Sequence, residues 1–218
     1  MKQLTKLETV IPGLHATTPE PLPFAPSTTV RAFLLERERG NVLVYSTREL
    51  ERDAAAIADL GGVSRRYLNH WHEAMFATDL DAPLFVHERE HAAVEERLPV
   101  RGSFSRRHML DDDFEVIPTP GHTAGATAFI WDTGTHRALF TGDSVYLDGS
   151  EWVAAVLEGS SDREAYLASL ELIRELEFDV LVPWAASAGE PYHAVTSRAE
   201  ATRRLDAIIE RLRRGEDR

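Results

Sequence analysis

Short apolar runs and longer amphipathic stretches alternate along this chain, which is the pattern of strands interleaved with helices. Three compact apolar runs predict strands, at residues 84–87, 114–118 and 179–183, and the first of these is expected to be buried. Two pairs of runs flank turn residues and therefore predict β-hairpins. The hairpins join residues 30–36 to 41–46, with Gly40 in the turn, and residues 126–131 to 137–141.

The first long amphipathic stretch predicts a helix over residues 47–60. The side chains expected on its buried face are apolar and recur at helical spacing: Leu50, Ala54, Ile57 and Ala58. A pair of glycines follows directly and is expected to stop the helix, because glycine adopts the left-handed conformation that ends many helices.

Capping patterns mark the start of two later helices. A hydroxyl residue is followed three positions on by a glutamate at residues 161–164 and again at residues 197–200. Apolar residues at helical spacing follow both patterns. Shorter helices are predicted at residues 73–78 and 88–98.

The amino-terminal part of the chain is less regular. Residues 4–14 alternate loosely and predict a first edge strand. Residues 15–28 contain four prolines, which block a helix, so this stretch is interpreted as a loop or lid.

Composition excludes several classes of function. The chain has 218 residues and a formal net charge of −12, which disfavours binding to nucleic acid or to anionic membrane surfaces. It has no cysteine, so neither a disulfide nor a thiolate metal ligand can form. No apolar run approaches the roughly 20 residues of a bilayer span, and no signal peptide is recognised. A cytoplasmic protein is the expectation.

Four residues are candidates for metal chemistry. His70 and His72 follow a predicted strand at residues 65–69, and at positions i and i+2 of an extended segment their rings would share one face. His122 lies in a glycine-flanked turn, and Asp143 follows an apolar strand and a glycine. Three imidazole nitrogens and a carboxylate are a plausible ligand set for zinc, iron or manganese. The alternatives are that some of these histidines face solvent and that the aspartate caps a turn.

The same residues resemble the signature of the metallo-β-lactamase superfamily. That signature begins with His-x-His-x-Asp-His and continues with a Gly-His-x-x-Gly turn, a strand ending in Gly-Asp and a late Pro-x-His. His70, His72 and His122 match histidines of the signature, and Asp143 matches the aspartate that bridges two metals in the family. The resemblance implies the α/β fold class, as a four-layer αββα sandwich of two mixed β-sheets flanked by helices. A single domain over residues 1–218 is expected.

The chain departs from that signature at three ligand positions. The family aspartate falls on Ala74, the next histidine on Met75 and the late histidine on Ala185. Methyl and thioether groups are poor ligands for hard or borderline cations, so the resemblance implies one divalent metal, most favourably zinc, and a degenerate second site. Met75 is expected to pack into the space of the second metal. Glu73, expected to point into solvent, and His193 are the residues that could replace a lost ligand.

Three functions of different classes remain open. The first is a hydrolase with one metal site, in which water activated by the ion attacks a small ester, thioester or lactone and Asp143 takes part in catalysis. The second is a binding or scaffold protein that kept the fold and lost the chemistry. The third is a mononuclear iron oxidoreductase similar to the persulfide dioxygenases of the same superfamily.

Partners follow from these hypotheses and from composition. A small-molecule substrate is expected, without nucleic acid or membrane, and a homodimer is possible. The remaining histidines fit no ligand pattern and are expected at the surface. They are His15, His87, His91, His108 and His136.

Overall fold

A computed structural model describes residues 7–76, 78 and 80–217 of the chain. By their internal contacts they form two compact units, one up to Phe104 and one from Ser105 onward. The predicted edge strand at residues 4–14 lies partly outside the described residues. The described part of the chain contains no helix long and apolar enough to cross a membrane.

Within its described residues, the first unit contains nine strands, two α-helices and one 3₁₀-helix. In chain order they are β1 (Glu8–Ile11), β2 (Leu14–Ala16), β3 (Glu20–Leu22), β4 (Ala25–Val30), β5 (Phe33–Leu35), β6 (Val42–Val44), α1 (Leu50–Asp59), β7 (Arg65–Tyr67), the 3₁₀-helix (Trp71–Phe76), β8 (Leu84–His87), α2 (His91–Glu95) and β9 (Val100–Phe104).

The main sheet of this unit has seven strands in the order β1-β2-β5-β6-β7-β8-β9. The pairs from β1 to β6 are antiparallel, and those from β6 to β9 are parallel, so the sheet is mixed. Strands β5 and β6 are buried at every position, which explains why they are continuously apolar rather than alternating. The predicted hairpin around Gly40 is confirmed, with that glycine at φ +100°.

The prediction of a loop at residues 15–28 is wrong, because strands β2, β3 and β4 cover much of it. Strands β3 and β4 form an antiparallel hairpin, in which Pro21 is exposed and pairs with Thr29. Proline cannot donate to a ladder but is tolerated at a sheet edge, where β3 lies. The prolines exclude a helix, as expected, but they do not exclude an edge strand.

Helix α1 forms where predicted but buries a different face. Leu50 and Ile57 are buried, whereas Ala54 and Ala58 are exposed and the third buried residue is Asp53. The Asp53 carboxylate accepts hydrogen bonds from the backbone N–H and the hydroxyl of Thr18, at 2.6 and 2.9 Å. A buried carboxylate with two donors replaces the alanine contacts that periodicity predicted.

The second unit, as described up to residue 217, contains nine strands and two helices. They are β10 (His108–Leu110), β11 (Phe114–Pro118), β12 (Thr127–Asp132), β13 (Arg137–Gly142), β14 (Tyr146–Asp148), β15 (Glu151–Val153), α3 (Arg163–Glu175), β16 (Val180–Pro183), β17 (Ala185–Ser187), β18 (Ala194–Val195) and α4 (Arg198–Arg213).

Its larger sheet has the order β10-β11-β12-β13-β16-β18 and is also mixed, since β13 and β16 are parallel. The predicted hairpin of β12 and β13 is confirmed. Helices α3 and α4 contribute to a buried apolar cluster that includes Leu170, Ile173, Leu205 and Ile208. Ser197 caps α4 as predicted, but α3 is capped by Asp162, whose carboxylate accepts the N–H of Ala165.

Candidate metal centre

His70 lies in a turn, three residues after the end of strand β7, and is buried completely. The carboxylate of Glu73 holds this turn, because its Oε1 accepts the backbone N–H of Asn69 at 2.8 Å and that of His70 at 3.3 Å. The prediction that Glu73 points into solvent is therefore wrong. Its side chain is fully buried, and Oε1 also lies 3.3 Å from Nδ1 of His70.

The hydrogen bonds of His70 select the nitrogen that can bind a metal. Nδ1 lies 2.9 Å from Oδ1 of Asn69, an oxygen that can only accept, so Nδ1 carries the proton. The lone pair then resides on Nε2. An imidazole oriented in this way through its other nitrogen is the usual arrangement of metal-binding histidines.

His72 reaches the same region by a route that the sequence did not predict. Residues 71–76 form a 3₁₀-helix, so the two histidines are not on an extended segment. The rings of His70 and His72 nevertheless lie 4.9 Å apart, nearly perpendicular at 85°. The turn held by Glu73 brings them together, and strand alternation plays no part.

His122 lies in a turn that packs against helix α3. Gly121 has φ +144°, and a Cβ at this position would lie 2.3 Å from Cα of Tyr166, so only glycine fits. Three hydrogen bonds attach the turn to the helix and its start: Asp162 N–H to Gly121 O, Ser161 hydroxyl to His122 O, and Ser169 hydroxyl to Pro120 O. The Ser161 hydroxyl also accepts the N–H of Leu157, and Asp162 caps α3 in its place.

The orientation of His122 also selects Nε2 as the nitrogen that can bind a metal. Its Nδ1 lies 2.6 Å from the carbonyl oxygen of Ala155, which can only accept. Nε2 lies 3.6 Å from Oδ2 of Asp143, which follows strand β13 as predicted. Two ligands about 2.1 Å from one tetrahedral ion would be separated by roughly 3.4 Å, so this spacing fits shared coordination.

The electrostatics of Asp143 reflect its surroundings. Burial raises the pKa of the Asp143 carboxyl, and the neighbouring His122 imidazole acts in the opposite direction. Burial, reinforced by the charge of Asp143, raises the pKa of the Tyr166 hydroxyl well above its usual value. Tyr166 therefore stays protonated at neutral pH and acts as a hydrogen-bonding group.

Among residues 7–76, 78 and 80–217, one group of side chains has the composition of a metal site. It consists of His70, His72 and His122, whose ligand atoms all lie within 4.8 Å of one another. A histidine triad of this kind could bind a metal ion. His193, the suggested replacement for a lost ligand, does not belong to this group.

The three positions where the chain departs from the signature carry no donor that a hard cation prefers. Ala74 and Ala185 are buried, and Met75 is 40% exposed. The expectation that Met75 packs into the space of the second metal stays a prediction. Met75 lies in the last turn of the 3₁₀-helix and is not fully enclosed.

Two of the histidines expected at the surface are buried. His15 lies in strand β2 with its Nε2 2.6 Å from Oε2 of Glu36, and His87 packs edge-on against Phe104. Both have neighbours that satisfy or cover the ring, so burial does not require a metal. The other three histidines of this set are at least partly exposed.

Comparison with known proteins assigns the family. The model of the metallo-β-lactamase superfamily matches residues 52–185, which is more than half of the chain and includes all four candidate residues. The chain belongs to the metallo-β-lactamase superfamily. A search of curated proteins finds no match.

Solved structures of metallo-β-lactamases share the fold at low sequence identity. The DIM-1 metallo-β-lactamase, in a crystal exposed to ceftazidime, is 16% identical with a TM-score of 0.71, and the match covers 96% of this chain and 99% of that one. A metallo-β-lactamase from Pontibacter korlensis is 15% identical with a TM-score of 0.69, covering 95% and 98%. A metallo-β-lactamase family protein from Thermus thermophilus is 20% identical with a TM-score of 0.64, covering 94% and 81%. The predicted fold class is thereby confirmed.

Proposed function

We propose that this protein is a metal-dependent hydrolase with a single metal site, acting on a small ester, thioester or lactone. The ligands are His70, His72, His122 and Asp143. The observation that carries the proposal is the group of three histidines whose ligand atoms lie within 4.8 Å of one another. Membership of the metallo-β-lactamase superfamily supports it.

The donor set fits a borderline divalent cation, most favourably zinc, with iron or manganese as the alternatives. His70 and His122 each have Nδ1 against an oxygen acceptor, so each offers Nε2 as a neutral donor. The carboxylate of Asp143 adds a negative charge beside His122. A bound divalent ion would lower the pKa of a coordinated water and polarise a substrate carbonyl.

The residues of the chain supply positioning and a proton acceptor. Glu73 and the carbonyl of Ala155 keep the rings of His70 and His122 in place. Asp143 is the proposed acceptor for the proton of the attacking water, through the carboxylate oxygen that is not engaged as a ligand. The family aspartate that shares this task is replaced by Ala74, so we expect turnover to be slow.

Occupation by one ion rather than two is part of the proposal. The positions that match the remaining family ligands are Ala74, Met75 and Ala185, and none offers an oxygen or nitrogen side-chain donor. Asp143, as the only remaining ligand, would not bind a second cation strongly enough to compete with its hydration by water. We therefore expect one metal equivalent per chain at saturation.

The test combines metal counting with hydrolysis. Untagged protein is purified and loaded with zinc, its metal content is measured by elemental analysis, and release of thiol or acid from simple thioesters and lactones is followed. We expect about one zinc per chain and rates above buffer, and His122→Ala should lose both because it removes a ligand. His108→Ala, on an exposed strand, is the matched control.

Each contrary outcome selects a different function. Equal rates for parent and His122→Ala would reject hydrolysis at this site. If the protein binds no stoichiometric metal, the favoured function is that of a binding protein that kept the fold and lost the chemistry. Oxygen consumption with glutathione persulfide by the iron-loaded form, without hydrolysis, would favour the dioxygenase alternative.

A further inference from the structure

One phenol connects the backbone segments that carry His122 and Asp143. The hydroxyl of Tyr166 lies 3.0 Å from the carbonyl oxygen of Asp143 and 2.9 Å from that of Ser144, so its single proton is donated to this pair. The same oxygen accepts the backbone N–H of Ala155 at 3.1 Å. Tyr166 is only 1% exposed, so water cannot take over these bonds easily.

Ala155 continues the connection to the imidazole. Its N–H points to the Tyr166 hydroxyl and lies 3.3 Å from the Asp143 carbonyl, while its own carbonyl accepts Nδ1–H of His122 at 2.6 Å. The residue whose carbonyl orients the imidazole is thus held, through its N–H, by the same phenol that holds the backbone of the aspartate. The phenol therefore contacts the backbone that carries Asp143 and the residue that orients His122.

The backbone of Tyr166 is itself packed against the turn that carries His122. Its Cα and Cβ lie directly under Gly121, so closely that no side chain could be added there. Helix α3 supplies both the anchor of the His122 turn and the hydroxyl that reaches Asp143. The hydroxyl is therefore placed by rigid structure, which is what a positioning group requires.

We infer that Tyr166 is a positioning residue, whose hydroxyl sets the separation of His122 Nε2 from Asp143 Oδ2 and thereby the affinity for the metal. The inference rests on the proposed function, since it assumes that both side chains bind one ion. Tyr166 neither touches the ion nor transfers a proton. Partners that orient ligands typically affect metal affinity by about 10-fold to 100-fold.

Tyr166→Phe tests the inference because it removes only the hydroxyl. Zinc affinity is measured by competition with a chromophoric chelator, and the ligand field is examined in the visible spectrum of the cobalt-loaded protein. The matched control is Trp131→Phe, which removes the indole N–H donated to Asp113 at the opposite end of strand β12. Thermal unfolding of the metal-free proteins reports the loss of stability in each variant.

We expect zinc binding to weaken about 10-fold to 100-fold in Tyr166→Phe, with an altered cobalt spectrum, and to stay at the parent level in Trp131→Phe. Parent-like affinity in folded Tyr166→Phe would overturn the inference, as would equal weakening in both variants. If the parent binds no zinc, the proposed function fails instead.

A second measurement needs no variant and covers the case in which Tyr166→Phe does not fold. The amide resonance of Ala155 is followed by NMR during zinc addition to the parent. A metal at Nε2 of His122 would polarise the ring and its hydrogen bond to the Ala155 carbonyl. The N–H of the same residue donates to the Tyr166 hydroxyl, so its resonance reports whether the change reaches the phenol. We expect a clear shift there and none at the Trp131 indole; an unmoved Ala155 amide would contradict the inference.

Discussion

The buried carboxylate of Glu73 allows the sharpest test of how the His70 turn is built. Its Oε1 accepts two backbone N–H groups and lies against Nδ1 of His70. We predict that Glu73→Ala destabilises the metal-free protein strongly, because a charged acceptor is removed from a fully buried turn. Glu73→Gln keeps a carbonyl oxygen of the same reach and should be tolerated better.

The magnitude follows from the contacts. A hydrogen bond to a charged group contributes about 1.5–3 kcal/mol. The two N–H groups share one oxygen and the second contact is 3.3 Å long, so the sum is reduced. We expect the free energy of unfolding to fall by about 2–4 kcal/mol in Glu73→Ala. In Glu73→Gln the side-chain oxygen still accepts these hydrogen bonds but carries no charge, so the free energy of unfolding should fall by about 1 kcal/mol.

Urea unfolding after removal of metal by a chelator measures both variants, and it separates stability from metal affinity. The midpoints can be compared only if the unfolding free energy depends on urea concentration with the same slope in each variant as in the parent. If Glu73→Ala unfolds at the parent midpoint, the carboxylate does not hold the turn and our account of the His70 geometry is refuted. If Glu73→Gln is as unstable as Glu73→Ala, the charge rather than the acceptor geometry dominates.

Two further predictions concern backbone space and charge. Gly121→Ala should lower the free energy of unfolding by about 2–4 kcal/mol and weaken zinc binding, because the new Cβ would meet the backbone of Tyr166. The control is Gly134→Ala, at φ +81° with open space around it, which should lower the free energy of unfolding by only about 1 kcal/mol. Equal losses in the two variants would contradict this prediction. Two arginines lower the pKa of Glu200 to about 2. Its contribution to stability is complete above the ordinary glutamate pKa and is lost as pH falls toward 2; a carboxyl resonance titrating near 4.5 would refute this.

The elements with strong local signals could be predicted from the sequence. The hairpin around Gly40 and the cap at Ser197 each depend on residues close in the chain. The predictions are wrong where the local structure depends on residues that are distant in the chain. The short strands β3 and β4 persist in a proline-rich stretch because they pair with each other, and α1 buries Asp53 because Thr18 supplies donors.

In the candidate site, too, some features could be predicted from the sequence and others depend on contacts between distant residues. The four proposed ligands were identified from residue type, spacing and resemblance, and the structure groups three of them within 4.8 Å. The reason given for His70 and His72 was wrong, because they meet through a 3₁₀-helix rather than along a strand. Tyr166 was not recognised at all, since a tyrosine in an amphipathic helix has no sequence feature that distinguishes a positioning role from packing.

The sequence by itself determined the family, the mixed α/β class and the identity of the candidate ligands, because these depend on residue types in a fixed order. Only the tertiary structure decided which nitrogen of His70 and of His122 can bind a metal and which groups hold the two rings. Those properties depend on hydrogen bonds between residues such as His122 and Ala155, or Tyr166 and Asp143, which are far apart in the chain. Spacing along the chain carries no information about such contacts until the fold brings the partners together.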